Sequence, residues 1–372
     1  MAPSEFFETR QAAAALKHGI LRRYLHTFCS KTGSTSQDHR VVFLDGYAGE
    51  GVYADGQPGS PVLAATTAGR LAHNRRLLGI YVEKDRDRAA KLQECLAETT
   101  HEHTVVVGTL EDALPAIMES TPTDAPLLAF LDPFGLPISA DGVSAIADHA
   151  RIVQGHRRGP PTEILLTVSL AGLRRSAGHL TSQCESPRYL KCRDTILKRT
   201  DAIMGGDWWR PVWTQGDRHR VLEIAAKYSQ VLAKKTRAKS WFSVPVSQGP
   251  GKPVVYILLF LTHYAEEGIW CFNECVSNAI EEWRKRFGET STPLIDFDAH
   301  FVRSIERSLS QHLRTNSHIH LGKEVLTAYG QVVGYAREKH LRQALKRLYK
   351  AGVTDHDGTG VLKHAVVRRA AH

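Results

Sequence analysis

The stretch Val-Val-Phe-Leu-Asp-Gly-Tyr-Ala-Gly-Glu-Gly-Val-Tyr, residues 41–53, decides how this chain folds. The four apolar residues 41–44 favour a strand that is buried on both faces of a parallel sheet. Asp45 follows at the carboxyl end of that strand, and glycines at 46, 49 and 51 allow the backbone to turn sharply and approach a ligand closely. Because open α/β sheets bind ligands outside the carboxyl ends of their strands, the stretch predicts the floor of a small-molecule site.

Two classes of cofactor fit such a loop, and an ordinary glycine-containing turn is the alternative without function. Dinucleotide-binding loops have the spacing Gly-x-Gly-x-x-Gly and bind a pyrophosphate at a helix N-terminus. Here the spacing is Gly-x-x-Gly-x-Gly, and Asp45 precedes the first glycine. A carboxylate repels phosphate and attracts an ammonium group, so the loop favours S-adenosylmethionine (SAM), which carries no phosphate, over NAD.

Three further apolar runs, 78–82, 105–107 and 127–131, also end at polar residues. Glu83 closes the first, at the position where an acid binds the two hydroxyls of a ribose. Thr109 and Leu110 follow the second, in the turn from which adenine contacts come in methyltransferases. Asp132-Pro133-Phe134-Gly135 ends the third, and we expect it to face the transferred group. Further runs at 162–169, 241–246 and 254–261 predict a fifth parallel strand and a last antiparallel pair.

Five motifs carry a resemblance to a known family: Lys17-His18-Gly19-Ile20-Leu21, the run from Phe43 to Tyr53, Pro58-Gly59-Ser60-Pro61, Val82-Glu83-Lys84-Asp85 and Phe130-Leu131-Asp132-Pro133-Phe134-Gly135. Over residues 10–175 the chain resembles the three-Cys-motif partner protein (TcmP) family. The Lys-His pair and the Asp-x-x-Ala-Gly-x-Gly-x-Tyr loop also resemble the bacterial 23S rRNA adenine-N6 methyltransferase. Both resemblances imply a class I SAM-dependent methyltransferase, with SAM as cofactor. The family name further implies a radical-SAM-like three-Cys-motif protein as partner.

The expected fold class is therefore α/β, with a Rossmann-like class I methyltransferase sheet, helical insertions and a C-terminal winged helix. We predict an N-terminal helix over residues 1–38 that covers the cofactor site. A methyltransferase domain follows over 39–295, with a helical insertion at about 171–240. A basic winged-helix domain completes the 372 residues over 296–372.

The predicted cofactor-binding set joins the strand-end residues to those that the resemblance adds. It consists of Lys17, His18, Asp45, Gly46, Tyr47, Ala48, Gly49, Gly51, Ser60, Glu83, Lys84, Thr109, Leu110 and Asp132. Lys17 and His18 depend on the resemblance alone, since a Lys-His pair on a helix is otherwise a surface pair.

Asp132, Pro133 and Phe134 are the predicted catalytic residues. On an exocyclic adenine amine, Asp132 and the Pro133 carbonyl would accept the amino hydrogens, and Phe134 would stack on the flipped base. Amino-methyltransferases typically have Asp-Pro-Pro-Tyr, whereas this chain has Gly135 at the fourth position, so the methylated atom stays open. Asp132 is alternatively a general base for a hydroxyl, a substrate-binding residue or the N-cap of a helix.

The basic charge of the chain is concentrated near its C-terminus. The net charge is +9, and from Phe301 onward 13 Lys and Arg face five Asp and Glu. Such a patch is typical of polyanion binding. We therefore predict a nucleic-acid partner, with RNA or tRNA favoured over DNA. The predicted substrate-binding residues are Arg174, Arg175, Lys339, Arg342 and Lys346. A small-metabolite methyltransferase whose winged helix forms a homodimer, and a non-catalytic partner protein, are the alternatives.

The sequence also predicts a compartment. No apolar run follows Met1, and the most apolar window, 254–261, is far shorter than the ~20 residues of a membrane helix. The six cysteines are scattered without a Cys-x-x-Cys pair, so we predict no metal site. A cytoplasmic enzyme with free thiols is the expectation.

Overall fold

The structure is a computed structural model that describes residues 3–36, 38–149, 160–216, 219–264, 268–288 and 297–370, with side chains from residue 12 onward. The strands are β1 (Arg40–Asp45), β2 (Arg76–Glu83), β3 (Glu102–Val107), β4 (Leu127–Leu131), β5 (Thr162–Ser169), β6 (Ser240–Ser247), β7 (Val254–Thr262), β8 (His318–His320) and β9 (Val366–Arg368). The helices are α1 (Pro3–Thr32), α2 (Ser60–Leu71), α3 (Arg86–Ala97), α4 (Leu110–Ser120), α5 (Ala140–Asp148), α6 (Leu170–Gly178), α7 (Pro187–Met204), α8 (Trp209–Gln215), α9 (Arg220–Lys235), α10 (Gly268–Phe287), α11 (Phe297–Thr315), α12 (Val325–Tyr329) and α13 (Glu338–Lys350).

Seven strands form one sheet in the order β3-β2-β1-β4-β5-β7-β6. The strands β1 to β5 run parallel to one another, and every residue of β4 is buried, as a continuous apolar run predicts. The strand order reverses between β1 and β4. The crevice at their carboxyl ends is therefore the switch point at which open sheets bind ligands. The predicted Rossmann-like α/β fold is confirmed.

The last two strands of the sheet run against the others. β7 is antiparallel to both β5 and β6, with Tyr256 opposite Ser169 on one side and Val246 on the other. The predicted antiparallel pair is thus confirmed. Its turn, residues 248–253, projects from the same edge of the sheet as the carboxyl ends of β1 to β5.

The strands share a hydrophobic core with six helices, α4 to α9. Tyr228 of α9 and Trp209 of α8 are fully buried in it. On β1, β2 and β3, the helices α2 and α3 contribute further contacts. The segment 171–240, predicted as a helical insertion, contains α6 to α9. These helices bring polar side chains to the carboxyl edge of the sheet.

The chain divides into two compact units. The sheet unit is Leu25–His263, and the second unit combines Met1–Tyr24 with Tyr264–His372. The sequence analysis placed domain boundaries at residues 38 and 295, and the latter lies outside the described residues. Across the described part of the chain, no helix is long and apolar enough to cross a membrane.

In the second unit, α11 packs on α12 and α13, and β8 pairs with β9 as an antiparallel ladder. His340 completes the start of α13. Its Nδ1 accepts the Arg337 backbone N–H at 2.8 Å, and its Nε2 lies 3.0 Å from Oδ1 of Asp298. Because Nδ1 accepts a hydrogen bond, the ring proton is on Nε2, which donates to Asp298. Burial lowers the pKa of the His340 imidazole, and Asp298 raises it only in part.

We predict that this histidine makes the second unit less stable as the pH falls below about 6.5, the usual pKa of an unfolded histidine. The unfolded chain then binds a proton that the folded His340 resists, so stability increases with pH through this range. His340→Asn keeps an acceptor near the position of Nδ1 but does not titrate. Urea-unfolding midpoints between pH 5 and 8 should therefore depend less on pH in H340N than in the wild type.

The matched control is His300→Asn, because His300 is exposed on α11. H300N should retain the wild-type pH dependence. An H340N profile as steep as that of the wild type would contradict the role of the imidazole.

Candidate functional site

The loop after β1 is tied to both neighbouring strands. Gly46 N–H donates to the Phe130 carbonyl of β4 at 3.0 Å, and Ala48 N–H donates to the Val82 carbonyl of β2 at 2.9 Å. Gly49 and Gly51 have φ angles of 67° and 86°, in the left-handed region that favours glycine. The loop is thus held at the carboxyl ends of the three central strands.

Asp45 is fully buried at the start of this loop. Its Oδ1 accepts the Tyr47 N–H at 3.1 Å, while Oδ2 accepts no hydrogen bond from any described residue. Burial raises the pKa of the Asp45 carboxyl to about 7; the nearby Ser60 hydroxyl and the Tyr47 amide lower it, and the charges of Asp132 and Glu83 raise it further. The Ser60 hydroxyl forms no hydrogen bond to Oδ2. A cationic ligand group close to Asp45 would stabilise its ionised form.

Glu83 stands at the end of β2 with both carboxylate oxygens engaged. Oε2 accepts the Gly49 N–H and Oε1 accepts the Asp85 N–H, each at 2.9 Å. Since each carboxylate oxygen accepts more than one hydrogen bond, Glu83 retains capacity for the hydroxyl groups of a ligand. Its backbone carbonyl also accepts the Gly108 N–H at 3.0 Å, which fixes the turn after β3.

A cavity of about 680 Å³ opens at the carboxyl ends of the parallel strands. Eight predicted cofactor-binding or catalytic residues line it together: Gly46, Tyr47, Glu83, Lys84, Thr109, Leu110, Pro133 and Phe134. The predicted residues Asp45, Ala48, Gly49, Gly51, Ser60 and Asp132 do not line this cavity. The first five belong to the end of β1, the loop after it and the start of α2, and Asp132 directly follows β4. Thr109 also caps α4, since its hydroxyl accepts the Asp112 N–H at 3.2 Å.

The tip of β4 carries the predicted catalytic residues. Asp132 is half-buried and close enough for its charge to raise the pKa of Asp45. Asp132 is not the N-cap of the next helix, because α5 begins at Ala140 and Ser139 caps it. Phe134 is 76% exposed beside the cavity, with the Arg88 guanidinium 5.9 Å from the centre of its ring. A Cβ added at Gly135 would meet no atom within 4 Å, so the space there is open.

The opposite wall of the cavity comes from α6 and α7, and sequence reasoning found only one of its residues. Of the two arginines predicted to bind substrate, both are exposed, and Arg175 lines the cavity whereas Arg174 does not. The wall further contains Gly172, Ser176, His179, Ile196, Arg199, Thr200 and Ile203. The spacing of the last four, 196, 199, 200 and 203, is one face of a helix, and this signal was available in the sequence.

The remaining predicted residues belong to the second unit. Lys17 and His18 are on α1, and their assignment to the cofactor stays a prediction. Lys339 pairs with Asp298 at 2.8 Å. Arg342 donates to the Gly358 and Gly360 carbonyls at 2.9 Å and pairs with Glu338, so it holds the loop after α13. Lys346 is exposed on α13.

No protein-family model and no curated protein matches this chain, so the resemblance to the TcmP family and to the 23S rRNA enzyme stays a prediction. Solved structures do match. An O-methyltransferase from Bacillus cereus in complex with SAH has 11% identity and a TM-score of 0.33, over 70% of this chain and 92% of that one.

Two further solved structures are similar in the same way. The O-methyltransferase TomG from Streptomyces achromogenes, involved in tomaymycin synthesis and in complex with SAM, has 15% identity and a TM-score of 0.33, over 69% of this chain and 90% of that one. The cyclopropane synthase MmaA2 from Mycobacterium tuberculosis has 10% identity and a TM-score of 0.25, over 63% and 81%. Because the identities are 15% or lower and the TM-scores are 0.33 or lower, the function has to be inferred from the residues of this chain.

We predict that Asp45 costs stability without ligand, and that the cost increases with pH. The pKa of Asp45 is about 7 when folded, against about 3.9 in an unfolded chain. Folding therefore becomes less favourable as the pH rises from 4 to 7, by roughly a few kcal/mol. Relative to the wild type, Asp45→Asn should gain stability over this range in urea unfolding. Asp55→Asn, in an exposed loop, should stay parallel to the wild type; a parallel D45N profile would refute the assignment.

Proposed function

We propose that this protein is a SAM-dependent methyltransferase. The observation that carries the proposal is the cavity at the switch point of the sheet. It brings together strand-end residues that the sequence assigned to one cofactor, and Gly46, which lines it, directly follows a buried carboxylate with an unpartnered oxygen. A pyrophosphate would meet the Asp45 carboxylate at the loop where a dinucleotide site offers N–H groups.

The residues at this edge fit the parts of SAM. Asp45 suits the ammonium of its methionine portion. Glu83, with its orientation fixed by two amides, suits the ribose hydroxyls. Thr109 and Leu110 border the place of the adenine. SAM supplies an electrophilic methyl group when bound.

The chain's own task is then to hold an acceptor in line with that methyl and to exclude water. Asp132 would accept a proton or a hydrogen bond from the acceptor at its carboxylate, and the Pro133 carbonyl would assist. Phe134 would cover a flat part of the acceptor. A nitrogen or an oxygen acceptor fits this arrangement.

Isothermal titration with SAM and with its product SAH tests the cofactor. We expect Glu83→Gln to weaken SAM binding about tenfold or more, because hydrogen bonds to a charged group contribute roughly 1.5–3 kcal/mol. Glu94→Gln, on the exposed face of α3, is the matched control and should bind as the wild type does. Asp132→Ala should bind SAM but lose turnover with labelled SAM and total metabolite, RNA, DNA and protein fractions. A folded protein that binds no SAM at millimolar concentration would refute the proposal.

The acceptor is a small molecule in our proposal, because α6 and α7 form one wall of the cavity and its volume is that of a small-molecule site. The second candidate is a nucleic acid, or a substrate presented by RNA such as a charged tRNA. The exposed Lys346 and Lys350, one turn apart on α13, favour it. In that candidate the second unit acts as a winged helix on RNA; in the first it forms a homodimer or docks a three-Cys-motif protein.

Salt dependence separates the two candidates. If α13 binds RNA phosphates, Lys346→Gln with Lys350→Gln should lower the slope of log K against log salt by about 1.4 for single-stranded RNA, since each phosphate contact contributes about 0.7. Lys91 is on α3, and its side chain pairs with Glu50 of the loop after β1. The control Lys91→Gln should leave the slope unchanged. An unchanged slope in the double variant would exclude the RNA role of α13.

A further inference from the structure

The two walls of the cavity differ in chemistry. The strand-end wall contains the Glu83 carboxylate, which we assign to the cofactor. The wall built by α6 and α7 offers Arg175, His179 and Arg199, and Ser176 also lines it. Guanidinium groups bind carboxylates and phosphates through two parallel hydrogen bonds. This second wall therefore suits an anion.

The net charge of the cavity lining also favours an anionic ligand. Four cations, Lys84, Arg88, Arg175 and Arg199, face two carboxylates, Glu83 and Glu111, so the lining carries +2 with His179 neutral. Glu83 is already engaged by two backbone amides.

The arginines themselves are not neutralised by the protein. Arg199 and Glu111 are 3.9 Å apart, with side chains that are 70% and 40% exposed, a geometry in which an ion pair contributes little. Arg175 forms no ion pair within the described part of the chain. Both guanidinium groups are therefore available to a ligand.

The wall is also held in place. Ser169 caps α6, its hydroxyl accepting the Gly172 N–H at 3.0 Å, and the backbone at Gly172 approaches that of Gly135 closely. His179 Nδ1 lies 2.9 Å from the Tyr189 hydroxyl, which ties the end of α6 to the first turn of α7. Arg175 thus projects from a fixed helix.

Apolar side chains complete the same space. Leu136, Ile196 and Ile203 line it, and the exposed ring of Phe134 stands at its edge. An exposed aromatic ring beside a cavity suits a flat ligand group, which would cover it. Anion-binding and apolar groups together describe an amphipathic acceptor.

We propose that the α6–α7 wall is the acceptor subsite, and that it takes a small molecule in which a carboxylate or phosphate is attached to a flat apolar group. Arg175 and Arg199 bind the anion, His179 supplies a further hydrogen bond, and Phe134 with the isoleucines contacts the apolar part. This assignment rests on the proposed methyltransferase function, because it places the acceptor opposite the cofactor wall.

The test compares three probes by isothermal titration in the presence of saturating SAH. 1-Naphthyl phosphate and 1-naphthoate carry the anion, and 1-naphthol lacks it. We expect the better anionic probe to bind at least tenfold more tightly than 1-naphthol. Arg175→Gln and Arg199→Gln should each weaken that probe about tenfold and leave 1-naphthol unchanged, as expected for a lost charge-assisted hydrogen bond.

Two neighbouring cations provide matched controls. Arg174→Gln and Lys198→Gln change the net charge by the same amount, but neither residue lines the cavity. Both should bind the probes as the wild type does. Equal losses in all four variants would show general surface electrostatics and overturn the subsite, as would equal affinity for the anionic probes and 1-naphthol.

SAH binding, measured separately in every variant, reports whether the fold and the cofactor wall are intact. SAH binding without any binding of the probes refutes the subsite and leaves the cofactor assignment standing. Arginine-dependent probe binding without SAH binding refutes the cofactor assignment and supports an anion site. Displacement of the probes by SAH would place both in one position and overturn the proposed subsite.

Discussion

The site depends on the hydrogen bonds that Glu83 accepts. One oxygen accepts from the loop after β1, the other from the start of α3, and the backbone carbonyl of the same residue holds the turn after β3. The carboxylate accepts the first two of these hydrogen bonds and the backbone carbonyl accepts the third, so one residue organises three connections. Without it, the glycine loop would lose its only side-chain anchor to β2 among the described residues.

Asp45 shows a different relation between structure and function. Its burial with an unpartnered oxygen is unfavourable for folding at neutral pH, and the rest of the sheet tolerates it. Groups of this kind are expected where a ligand later supplies the missing partner. The same residue that weakens the free protein prepares the site for a cation.

The sequence predicted the sheet and the strand-end half of the cavity, and physical reasons explain what it missed. Continuous apolar runs that end in Asp45, Glu83 and Asp132 identify strands and their carboxyl ends from local pattern alone. The helical wall could not be found this way, because Arg175 and Arg199 are 24 positions apart and meet only through packing of α6 and α7.

The charge count of the C-terminal segment overestimated the number of cations available to a ligand. It showed an excess of cations but could not show that Lys339 and Arg342 are engaged by groups of the same unit. Counting charges identifies a basic segment, whereas the contacts decide which of its cations remain available.

The reversed direction of β7 has a consequence for how such a protein can diversify. Because β6 ends and β7 begins at the edge where the parallel strands terminate, the hairpin turn at 248–253 emerges at the same edge of the sheet as the loop after β1 instead of at the far edge. Turns of this kind tolerate insertions, since lengthening them leaves the strand register intact. Selectivity for new acceptors can therefore evolve in this hairpin while the core and the strand-end wall of the cavity remain unaltered.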